Sequence, residues 1–141
     1  MTENVSERAT KNNVRADAES IREAMAGILR QGIDLLESLD ETAYTQRVPQ
    51  AFDSTIGGHY RHCLEHFEPL VEGLSAVIDY DARKRDPSVE NNREVALRRT
   101  RELLTACLNF PVDSLEIPVR VCYKVSYDAT VDPLAESTVA R

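Results

Sequence analysis

Every histidine in this 141-residue chain falls within one short run, IGGHYRHCLEHF, residues 56–67. His59, His62 and His66 are three and four positions apart, the spacing at which side chains share one face of a helix. Imidazole is a common protein ligand for zinc, copper and nickel, so metal binding is the first chemistry to weigh. At about 100° per residue the three positions span an arc of roughly 60°, but they are strung along about 10 Å of helix axis. Tetrahedral zinc takes nitrogen ligands about 2.0–2.1 Å from a single point. Two histidines a turn apart reach a common ion, whereas three spread over this length do not easily do so. One helix therefore supplies at most two ligands, and the chain has no histidine elsewhere. The competing reading is that these are ordinary histidines bonded to nearby carboxylates, with Glu65 and Glu68 in reach.

The second set of candidates is basic. Arg83, Lys84 and Arg85 crowd the run DYDARKRD, and Arg93, Arg98, Arg99 and Arg101 follow. Acidic residues are interleaved among them, which favours a solvated face over a nucleic-acid surface. Arg93 differs, because helical spacing puts it about 40° from Val89, inside an apolar stripe. A planar guanidinium fork suits a carboxylate or phosphate. In one reading Arg93, with Arg83 or Arg85, clamps the anionic group of a substrate near the histidines. In the other, Arg93 forms an internal salt bridge to Glu65, Asp79 or Asp81 and locks the connection between two helices.

The elements that must position these groups are mainly helical. From Asp17 to Leu39 apolar residues recur at helical spacing, including Ile21, Met25, Ile28, Leu35, Leu36 and Leu39. Pro49 breaks the pattern. A second helix is expected from Ser54 or Thr55, either of which can cap it, with a stripe of Ile56, Tyr60, Cys63, Phe67, Leu70, Val71, Leu74 and Val77. Asp86 followed by Pro87 is a start signal for a third helix, which runs through Val89, Ala96, Thr100, Leu103, Leu104 and Cys107 to about Asn109. Residues 117–127 alternate with period two and read as an extended segment with one packed face. Ser137 then reads as the cap of a last helix that barely opens. Residues 1–16 read as a solvated, disordered tail, and 17–141 as a single helical domain.

Composition narrows the function classes. The formal net charge is −7 and 42% of residues are hydrophobic. That charge argues against general attraction to nucleic acid or to an anionic membrane surface. No run approaches the roughly 20 apolar residues that span a bilayer. Cys63, Cys107 and Cys122 are widely spaced with no CxxC, which suits buried thiols in a reducing cytoplasm.

The stretch STIGGHYRHCLEHF, followed by IDYDARKRD and VENNREVAL, resembles the DinB/YfiT-like superfamily, in particular a branch with a GxHxRHxxxHF…DYDxRxRD pattern. The specific part runs from Ser54 to Arg93. The resemblance implies an up-down-down-up four-helix bundle, commonly dimeric, that binds zinc, nickel or a similar divalent ion through three histidines. It further implies kinship with thiol-dependent transferases and isomerases, and hence a small acidic or thiol-containing ligand. In that family one ligand lies on the second helix, best matched here by His62, and an H-x3-H pair lies on the fourth. His59 and His66 are extra histidines that share the pocket. The run ESTVAR matches the opening of the fourth helix, so the last helix is expected to be largely missing and the metal site incomplete. Apolar stripes left uncovered by that helix lead to the expectation of a homodimer. The alternative to a metal protein is a non-catalytic, self-associating helical interaction domain.

Overall fold

The computed structural model of the chain describes residues 5–71, 77–80, 82, 84–116, 118–122 and 134–138. It is mainly helical, as the periodicity requires. Helix α1 is Val5–Ser38 and begins well ahead of the expected start at Asp17. No proline or glycine interrupts residues 5–16, and the polar side chains described there are exposed, so that stretch is a solvated helix where a disordered tail was expected. Ala18, Ala26, Leu29 and Leu36 mark the buried face of α1.

After a short helix α2, Glu41–Thr45, capped by Asp40 on the Ala43 N–H at 2.7 Å, the chain makes a 3-10 turn at Pro49–Ala51. Helix α3 is Ile56–Val71. Its cap is Thr55, whose Oγ1 accepts from the Gly58 N–H at 2.8 Å. The third helical stretch starts where expected but is split. Helix α4, Pro87–Asn91, is capped by Asp86, whose carboxylate accepts from Ser88 and is held below its ordinary pKa first by the Ser88 hydroxyl and then by the Ser88 N–H. Asn92 leaves helical geometry, with φ −144° and ψ 109°, and its side chain caps helix α5, Arg93–Leu108, through the Val95 N–H. An Asn with a local capping option competes with helix continuation, which is why one stripe becomes two helices.

The long helices α1, α3 and α5 form the body. Leu36 and Glu37 of α1 meet Arg93 and Arg101 of α5, while Arg22 of α1 meets Cys107 and Phe110 at the other end. Thus α1 and α5 are antiparallel. Gly57 of α3 abuts the Glu90 carbonyl just before α5, and Tyr60 pairs with Thr100 within it, so α3 runs parallel to α5. The core between them contains Leu29, Leu36, Tyr44, Leu64, Ala96, Leu97 and Leu103.

A three-stranded sheet closes one end. Strand β1, Val77–Asp79, pairs in parallel with β2, Pro118–Cys122, which pairs antiparallel with β3, Leu134–Thr138. The alternation read at 117–127 is realised in β2, where Val119 is buried over a second core of Ala18, Ile78 and Leu115. Residues 123–127 of that segment, and Leu74 of the expected α3 stripe, lie outside the described residues. Two further expectations are corrected. Ser137 sits in β3 opposite Val119 and caps no helix, because the backbone of β2 supplies a strand partner. Val77 belongs to β1 rather than to a helix.

Candidate functional site

The histidines lie on the outer side of α3, and all three are exposed. The His62 and His66 rings meet edge to face, with centroids 4.8 Å apart and an interplanar angle of 79°. His66 also lies 5.2 Å from the ring of Tyr80, just past β1, whose hydroxyl pKa is raised by burial. Nothing in the spacing of Tyr80 along the sequence ties it to α3. Cys63, expected in the buried stripe of α3, is exposed on the same side as the histidines. Leu64 takes the buried position instead. The other described thiol, Cys107, is buried, and burial raises its pKa, which keeps it in the unreactive protonated form.

His66 forms part of the wall of an open groove of about 440 Å³. Ile21, Met25 and Ile28 of α1 face Phe67 and Leu70 of α3 across it, and Ile78, Val119 and Val121 of the sheet close its end. Further along α1, Leu35 is 45% exposed and Ile28 is 54% exposed, so this apolar row is only partly covered. Tyr60 of α3 packs where a side chain on Gly32 of α1 would clash, and the Tyr60 hydroxyl meets Thr100 at 2.8 Å. Thr100 already donates to the Ala96 carbonyl at 2.7 Å, so Tyr60 is the donor.

The carboxylates weighed as histidine partners have cationic neighbours. Glu65 is buried and accepts from Arg61 at 3.4 Å, and Glu68 accepts from the Arg99 Nε at 2.9 Å. Together with Lys84 and Asp86 these residues line a cleft of about 330 Å³ between α3 and α5. The cations and anions among them balance three to three, so the cleft is a mixed ion network that ties the helices together. The Arg61–Glu65 pair was not among the expectations, although its i, i+4 spacing is a signal the sequence carries.

The arginines singled out in the sequence do not gather at the histidines. Arg83 lies outside the described residues. Arg85 is exposed, with φ 47°. Arg93 is half-buried as expected, but its partners differ from Glu65, Asp79 and Asp81. Its guanidinium donates to the Leu36 carbonyl at 2.9 Å and pairs with Glu94. Leu36 is eight residues beyond Ile28, roughly 12 Å along the helix, so Arg93 serves the far end of α1.

No family model matches the chain, nor does any curated protein or solved structure. The metal question therefore rests on donor geometry. Two imidazoles bound to one tetrahedral ion at about 2.0–2.1 Å have ring centres roughly 5 Å apart. The 4.8 Å separation of His62 and His66 fits that requirement. Among the described residues no group of three His, Cys, Asp or Glu side chains is placed to hold one ion. The pair could supply two of the four donors of a tetrahedral site, and the described residues do not complete one. Among the described residues, no helix is long and apolar enough to cross a membrane.

Proposed function

We propose that this chain is a DinB-like metal-binding domain whose ion, zinc or nickel, is held on the outer face of α3 by His62 and His66, with His59 at its edge. The observation that carries the reading is the His62–His66 pair, exposed, one turn apart and with ring centres 4.8 Å from each other. The three long helices, running in the order up, down, down, support the family resemblance. A divalent ion in such a place supplies Lewis acidity to a bound thiol or water. The exposed groove beside His66 offers space for a small acidic or thiol-containing ligand, and a cytoplasmic setting suits the reduced thiols. No catalytic step follows from two ligands, and kinship with thiol transferases and isomerases is an expectation for activity screens.

Isothermal titration of the chain with zinc tests the assignment. Weak binding is expected, lost on His62→Ala or His66→Ala and kept on His59→Ala. Binding indifferent to both His62 and His66 would overturn it. The second reading, a non-catalytic self-associating interaction domain, is favoured by the partly uncovered row of Ile28 and Leu35 beside the groove.

A further inference from the structure

A single copy offers two imidazoles to an ion that prefers four donors in a tetrahedron. Closed dimers are related by a two-fold axis, so any group on one copy is repeated on the other. A pair of ligands on an exposed helix face becomes four when two such faces meet across the axis. The structure assigns the outer face of α3 as a metal-bridged contact between two copies of this chain, with His62 and His66 of each copy completing one zinc site. This inference rests on the metal-binding reading proposed above and adds the source of the missing ligands.

Three further observations make a second copy the fitting occupant. The apolar residue Ile28 lines the same groove as His66, so copies brought together at the histidines also place partly exposed apolar surface near the contact. The carboxylates of α3, Glu65 and Glu68, accept from Arg61 and Arg99, so their charge is offset within each copy. The chain as a whole carries −7, and self-repulsion between copies is a cost that a dication at the contact offsets. Cys63 lies on this face as well, within a turn of both His59 and His66, and is an alternative donor, beside His59, that the test must separate.

Sedimentation velocity of the full chain, with and without zinc chloride and with bound metal counted, decides the matter. The expected result is a dimer that forms on zinc addition, saturates at one ion per two chains, and dissociates with chelator. His62→Gln should remain monomeric in zinc while keeping its circular dichroism and melting temperature. Cys63→Ser should dimerise as the parent does. Saturation at one ion per chain in a monomer would overturn the bridge and leave the metal face standing. Loss of the dimer in Cys63→Ser would overturn the four-imidazole assignment. Absence of zinc binding altogether would overturn both readings, and a dimer indifferent to zinc and to His62 would overturn the bridge.

Discussion

At the scale of single residues, the informative side chains are those whose partners differ from what spacing suggested. Arg93 was legible as a cation inside an apolar stripe, yet its acceptors are a helix-end carbonyl and the adjacent Glu94 rather than a carboxylate of the helix connection. A cation near the C-terminus of α1 also answers the negative end of the helix dipole. Removing it takes one of two donors from that carbonyl, which keeps only the Leu39 N–H at 3.3 Å, and a leucine cannot restore the lost charged bond. Arg93→Ala and Arg93→Leu should therefore lose stability alike, by about 1–3 kcal/mol, in urea denaturation. A clear advantage of leucine over alanine would favour a buried carboxylate partner instead. Tyr44 offers a pH test. It is fully buried, donates to the Val89 carbonyl at 2.7 Å, and has its hydroxyl pKa raised, first by burial and then by its neighbours Tyr60, Glu41 and Glu90. A group whose pKa is higher folded than unfolded contributes stability that is complete below the unfolded value, about 10 for tyrosine, and is lost as pH rises beyond it. Tyr44→Phe should cost about 1–3 kcal/mol near neutral pH by orphaning the carbonyl. Above about pH 10 the variant should lose stability less steeply than the parent, because it has no proton there to release. Tyr60 and Tyr80 are raised in the same direction, so some alkaline loss should remain.

At the scale of elements, local chemistry was readable wherever the deciding groups were adjacent in sequence. Asp86–Pro87 announced a helix start, Thr55 announced another, and the alternation around Val119 announced a strand. The break at Asn92 was missed because the stripe through Val89 and Ala96 continues across it, and only the capping bond to Val95 reveals the interruption. The strands β1 and β3 were missed because each is short and takes its identity from β2, a partner far away in sequence. The histidines were visible as a group, but their exposure, their contact with Tyr80, and the outward position of Cys63 depended on how α3 is rotated against its neighbours. Two glycines make that packing testable. A side chain on Gly57 would run into the Glu90 carbonyl and the Tyr44 ring, whereas one on Gly27 would meet nothing. Gly57→Ala should therefore destabilise by about 1–3 kcal/mol through overpacking. Gly27→Ala should stabilise by about 0.5–1 kcal/mol, since it removes backbone entropy from the unfolded chain without a clash. Thermal melts showing the same sign for both would mean that α3 does not approach α4 as closely as described.

At the scale of the molecule, the chain combines a helical body with a small sheet, and the connections between them constrain the order of assembly. Strand β1 pairs in parallel with β2, matching Val77 to Arg120, and helices α4 and α5 lie in the intervening chain. Closing so long a loop costs entropy before any strand bond is repaid, and non-local pairings of this kind are slow to form. The helices face no such delay, because their bonds are local and their packing brings the ends of the loop together. The sheet should therefore mature last. Pulse-labelled hydrogen exchange during refolding checks this through the amides of Val119 and Val121, which should gain protection after those of α5. Strand protection appearing first would reverse the order. The histidine face carries the same timing, since Tyr80, the neighbour of His66, follows directly on β1. The ring contact at His66 is thus a late product of folding, set by the last loop to close.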